Sequence, residues 1–100
     1  MRINIGGEDT MGMVIVHHIV KDYDTWKPAY DKHKGARKAA GLTHDHVLQA
    51  VNDPNAVTIV MDFSDFAAAK TFTESEDLKT VMKAAGVIGV PAIHLLKKVT

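Results

Sequence analysis

The order of apolar and polar segments predicts an α+β domain in which strand–helix–strand occurs twice, βαββαβ. Three observations carry that expectation. Residues 13–20 are dominated by β-branched types, a helical stripe recurs at Trp26, Tyr30, His33 and Arg37, and two alternating segments flank the turn formers Asn52-Asp53-Pro54-Asn55. A chain of 100 residues has room for a single domain with one modest core.

Residues 1–12 are polar and glycine-rich around Gly6-Gly7 and Gly12, which suits a flexible leader or a short extra strand, and the domain is expected over 13–100. Residues 13–20 are apolar on both alternating sets except at His17-His18, the pattern of a strand covered on both sides. Lys21-Asp22-Tyr23-Asp24 interrupts it. The stripe that follows stands at i, i+4, i+7 and i+11, with Lys27, Asp31, Lys34 and Lys38 opposite. Proline is favoured only in a first helical turn, so Pro28 points to Asp24 or Thr25 as the N-cap rather than Asp22. Gly41 is a suitable residue to end this helix.

A second strand is expected over 42–52, with His44, His46, Leu48 and Ala50 on one face and Asp45, Val47, Gln49 and Val51 on the other. A third strand, 56–63, sets Val57, Ile59, Met61 and Phe63 on one face and Thr58, Val60 and Asp62 on the other. Asp65 and Ser75 cap two helical pieces, the second running to Ala85 with Gly86 at its end. Residues 87–91 read as a connection and 92–99 as the fourth strand. The order gives a ferredoxin-like sandwich, a four-stranded antiparallel sheet with helices on one face. Its other face, around Thr58 and Val60, is too apolar for water, and a homodimer through that face is expected.

Composition excludes several classes. Twelve basic and twelve acidic residues cancel, so no charge excess favours nucleic acid or a membrane surface as partner. With no cysteine, disulfides, thiolate metal sites and thiol nucleophiles are absent. No apolar run approaches a membrane span, no basic-then-apolar signal opens the chain, and a cytoplasmic location is expected. Six histidines are the unusual feature. Neither Ser64 nor Ser75 lies in a Gly-x-Ser-x-Gly elbow, and no glycine-rich phosphate loop follows a strand.

Three stretches then bear on kinship: residues 16–28, from Val16-His17-His18-Ile19 to Trp26-Lys27-Pro28; Asp53-Pro54-Asn55-Ala56-Val57; and Ser75-Glu76-Asp77-Leu78-Lys79 ahead of Gly86-Val87. They resemble dimeric α+β barrel proteins, nearest to the antibiotic-biosynthesis-monooxygenase-like and small "cyclase" groups, over about residues 13–99. The superfamily spans cofactor-free oxygenases of aromatic polyketides, polyketide cyclases, haem-degrading enzymes and members without known activity. The resemblance implies a small-molecule cavity between the sheet and the helices, and two sheets packed into a barrel. Haem degraders carry an axial histidine where this chain has Met82 and a tryptophan where it has Phe63, so no haem is expected. Like the polyketide cyclases, the chain has a histidine on its first strand, but their second histidine matches no residue here.

The candidate chemistry is therefore histidine-centred. Centring the first and fourth strands on each other sets His18 opposite His94. A two-residue loop at Asp53-Pro54 pairs His46 with Met61 and His44 with Phe63 on the helix side. A three-residue loop pairs His46 with Asp62 on the dimer side, and the shorter loop, being commoner, is the expected one. His18 is the candidate general base and His46 its proton partner, with Trp26, Tyr30, His33, His44, Phe63 and His94 shaping a substrate pocket. His17 points to the dimer face. His44 and His46 alone are a weak metal pair, and neither metal nor any other cofactor is expected. The function these residues suggest is a cofactor-independent enzyme, of cyclase or monooxygenase type, acting on an aromatic or polyketide-like small molecule. The alternative is a dimeric module that binds a small ligand or assembles without catalysis.

Overall fold

A computed structural model describes residues 11–97 and Val99. The elements run β1 (Gly12–Val20), α1 (Tyr23–Lys32), α2 (Lys34–Ala39), β2 (Leu42–Ala50), β3 (Asp53–Phe63), α3 (Phe66–Thr73), α4 (Glu76–Ala84) and β4 (Val87–Lys97). The expected leader lies outside the described residues except for Met11 and Gly12, and Gly12 already belongs to β1. The sheet order is β2-β3-β1-β4 and the paired neighbours are antiparallel, so the fold is the ferredoxin-like α+β sandwich.

Alternation on the two central strands decides where the core sits. Val14, Val16 and Val20 of β1 and Val57, Ile59, Met61 and Phe63 of β3 are buried, joined by Trp26, Leu42 and Ala69. Ile15 pairs with Val60 and His17 with Thr58, both on the outer face. There the side chains of Ile19, Leu48, Ile88 and Leu96 are exposed.

The first helical region departs from expectation in two ways. Asp22 is the N-cap: its carboxylate accepts hydrogen bonds from the Thr25 amide and hydroxyl. Pro28 consequently sits inside α1. Its missing N–H deprives only the Asp24 carbonyl, in the first turn, so the helix tolerates it at lower cost than deep in a long helix. The single expected helix is also broken at His33, whose backbone (φ −95°, ψ 13°) separates α1 from α2. Asp65 and Ser75 cap α3 and α4 as expected. Gly41, at φ 107°, ends α2 in a conformation that other residues avoid.

The strand registers differ from those expected. In the β2–β3 hairpin, Leu42 pairs with Phe63 but His44 pairs with Asp62, leaving Thr43 as a bulge. The two-residue turn is Val51-Asn52, and residues 54–56 form a second irregularity before the ladder resumes at Val57. His44 and His46 are thereby carried to the outer face, and Asp45 and Val47 turn inward opposite Met61 and Ile59. On the other side, β4 begins at Val87, where a connection was expected, and shifts register between Ile88 and Ala92. His94 pairs with Ile15 on the outer face, not with His18.

Close approach of β1 to α3 fixes one further residue. A Cβ on Gly12 would lie 2.7 Å from the Ala69 Cβ and 2.9 Å from the Phe66 Cα. Gly12→Ala should therefore lower stability by about 1–3 kcal/mol, the usual range for overpacking. The expected observation is a lower urea midpoint at unchanged slope.

Candidate functional site

The inward residue of β1 that is not aliphatic is His18. It is 4% exposed, and neither ring nitrogen has a hydrogen-bond partner. Its ring meets Trp26 edge-on at 5.5 Å, Trp26 stacks on Tyr30 at 5.0 Å, and the Arg37 guanidinium carbon lies 3.6 Å from the centre of the Tyr30 ring. The i, i+4, i+11 spacing of Trp26, Tyr30 and Arg37 thus becomes a continuous ladder that starts on β1 and ends on α2. Aromatic stacks and cation–π contacts of this kind contribute roughly 0.5–2 kcal/mol each.

This ladder forms one wall of a cavity of about 620 Å³ between sheet and helices, well inside the size range of small-molecule sites. The sheet supplies Val16, His18, Ile59 and Met61 as its floor. Phe72 from α3 and Leu78, Val81, Met82 and Ala85 from the α4 segment close the far side. Those four stand at i, i+3, i+4 and i+7, so the apolar face of α4 is spent on the cavity rather than on the closed core.

Electrostatics single out two groups. Burial, with His17 adding like-charge repulsion, lowers the His18 pKa to about 4. The imidazole is therefore neutral at physiological pH, with one nitrogen free to accept and one N–H free to donate. Tyr30 is pushed well above the usual phenol value by burial and by its hydrogen bond to Asp45, and stays protonated. Its hydroxyl donates to Asp45 Oδ2 at 2.5 Å, tying the cavity wall to the β2–β3 hairpin. Arg37 is 6% exposed and donates from Nη1 to the Tyr30 carbonyl at 2.7 Å, which leaves its buried Nε without a partner.

His18, Trp26, Tyr30 and His33 all line the cavity; His33 also donates from Nδ1 to the Ala29 carbonyl at 3.0 Å. Phe63 does not. It is fully buried below the cavity, against Phe72 at 5.1 Å, and acts as core. His44, His46 and His94 lie on the outer face, separated from His18 by the sheet itself. Within one protomer His46 is thus not a proton partner for His18, because the Thr43 bulge reverses the inward set of β2. His17 also faces outward, sharing a 2.9 Å hydrogen bond with Thr58. Two contributors escaped the sequence reading. Arg37 stands on the stripe without an assigned role, and Asp45 was obscured by register, although in the shorter-loop register it would face the like charge of Asp62. Among the described residues no three His, Asp or Glu side chains converge as metal ligands, and no helix is long and apolar enough to cross a membrane.

The ferredoxin-like sandwich is the class of fold, and it is shared with solved structures of antibiotic-biosynthesis-monooxygenase-like proteins. A candidate antibiotic biosynthesis monooxygenase from Bordetella bronchiseptica is similar at a TM-score of 0.73 and 18% identity, over 91% of this chain and 99% of its own. A second, from Caulobacter crescentus, gives 0.73 and 15% over 94% of each chain. A variant of SnoaB, a cofactor-independent oxygenase from Streptomyces nogalater, gives 0.67 and 11% over 88% of this chain and 91% of its own. At these identities the likeness establishes the fold. No family model matches the sequence, and no curated protein matches it.

The lowered His18 pKa has a consequence for stability. Between about 4 and the ordinary imidazole value of 6.5, the unfolded chain binds a proton that the folded chain refuses. The folded state is therefore unpenalised above about pH 6.5, loses stability as pH falls, and has lost the whole contribution near pH 4, on the order of 3 kcal/mol. His18→Leu should flatten this part of the profile, and urea midpoints at pH 7 and 4.5 for both proteins would measure it.

Proposed function

We propose that the protein is a small cofactor-independent enzyme, of monooxygenase or cyclase type, that acts on an aromatic or polyketide-like molecule with His18 as general base. The observation that carries this reading is a deeply buried neutral imidazole, unpartnered at both nitrogens, on the floor of an apolar cavity of about 620 Å³. In this reading the imidazole, once its ring turns toward the cavity, takes a proton from an acidic C–H of a bound substrate. The imidazolium so formed is stabilised by the adjacent carbanion, which offsets the low basicity that burial imposes. That carbanion either attacks a carbonyl of the same molecule, closing a ring, or reduces dioxygen and couples with it to a hydroperoxide that loses water to leave a carbonyl. Support also comes from the oxygenase activity of SnoaB, whose fold is similar.

A dimeric ligand-binding module without turnover is the second reading. The observation favouring it is the His18 pKa of about 4, far from the neutral value best suited to a base at pH 7. The two readings separate on one comparison. With a panel of anthrones and β-diketones, the enzyme should consume oxygen or substrate, and His18→Ala should lose about 10²–10⁴-fold of that rate while remaining folded. A fully active His18→Ala overturns the base assignment. Binding that shifts the His18 resonances without turnover of any panel member supports the module.

The assembly proposed for either reading is a homodimer joined through the outer sheet faces. Ile15 and Val60, adjacent at the centre of that face, would be covered together with Ile19, Leu48 and Leu96. Sedimentation should give a dimer at micromolar concentration, and Ile15→Glu a folded monomer. A wild-type monomer removes the proposed assembly.

A further inference from the structure

Arg37 places a cation in the wall of an apolar cavity, at 6% exposure, and none of the ion pairs among the described residues includes it. Taking a charge out of water without a counter-ion costs several kcal/mol, so such groups are ordinarily paired. What compensates Arg37 here is partial: the face of Tyr30 at 3.6 Å and one carbonyl at 2.7 Å. Among the described residues no carboxylate lies within ion-pair distance of Arg37. Asp45 accepts from the Tyr30 hydroxyl, Asp65 accepts from the Ala68 amide as the cap of α3, and Asp77 is an exposed residue in the first turn of α4. The Arg37 Nε–H remains buried and unsatisfied. At the other end of the Trp26–Tyr30 ladder, His18 likewise has two free ring nitrogens.

We infer that Arg37 anchors the ligand of this cavity, and that the ligand is a planar aromatic acid whose anionic oxygen pairs with the Arg37 guanidinium while its rings extend across the apolar lining toward His18. This rests on the reading of the cavity as a small-molecule site and narrows it to a charge class. An anion at Arg37 supplies the missing counter-charge, which a neutral ligand of the same shape does not. It also fixes which end of the ligand faces His18, since the two polar positions lie at opposite ends of one apolar wall. Arg37 is in this account a binding and orienting residue, and lysine would not replace it, having no planar face to stack on Tyr30 while it pairs with the ligand.

Two probes of one shape test the inference, 2-naphthoate and the neutral 2-naphthamide, titrated calorimetrically into the full chain at pH 7 while the His18 ring resonances are followed by NMR. A charge-assisted buried hydrogen bond predicts that the acid binds about 10- to 100-fold more tightly than the amide. In Arg37→Gln, and in Arg37→Lys, that preference should collapse to about threefold or less, with amide binding nearly unchanged. Equal affinities in the native protein, or a preference that survives Arg37→Gln, overturn the assignment. If the amide still shifts His18 in that case, the cavity reading stands and only the charge class falls. Failure of both probes to bind or to shift His18 overturns the ligand class and counts against the cavity reading as well.

Discussion

β1 lies at the centre of the sheet with both of its edges paired, and its side chains alternate without interruption from Gly12 to Val20. A central strand has no freedom to slip, because a one-residue shift would exchange its buried valines for its outer residues. Val14, Val16 and Val20 fix the inward set, and His18 is carried inward with them whether or not a partner awaits it. The helices then have to cover an imidazole, and they do so with Trp26, the first rung of the ladder that forms the cavity wall. The site is in this sense a by-product of packing a polar residue on a strand that cannot turn it away.

The same constraint explains what the sequence made legible. β1 and β3 carry aliphatic residues at every second position, so their inward faces, including His18 and the Val57–Phe63 set, can be read directly. The stripe Trp26, Tyr30, His33, Arg37 is legible because helical periodicity places widely spaced residues on one face whatever their chemistry. β2 carries no such signal. His44, Asp45, His46 and Gln49 are polar on both alternating sets, so its register is decided by the Thr43 bulge and by the irregularity at residues 54–56, neither of which leaves a compositional trace. The misplacement of His46 and His44 follows from that gap, whereas His94 was misplaced because β4 begins at Val87 rather than at residue 92, which changes its pairing with β1.

Capping shows a different competition. A rule about proline argued against Asp22 as the N-cap, yet the Asp22 carboxylate collects both the amide and the hydroxyl of Thr25. Two hydrogen bonds at the helix start outweigh one lost carbonyl partner near its first turn. Starting the helix there has a further effect, since the Tyr23 amide is satisfied by the Asn55 side chain at 2.8 Å. The entry to α1 is thereby tied to the β2–β3 hairpin, and Trp26 is held one turn later at the height of His18.

β4 is an edge strand, and its irregular stretch includes Gly89 at φ 71°, a fully projecting Val90 and Pro91, which has no N–H to offer. An incoming strand needs a straight, regularly spaced row of donors and acceptors, and this border interrupts that row midway. Copies of the chain are thus discouraged from joining border to border into an open-ended ribbon, even though the flat side of the sheet is greasy enough to attract them. The proposed face-to-face contact closes on itself after two copies, whereas pairing through this border would grow without limit.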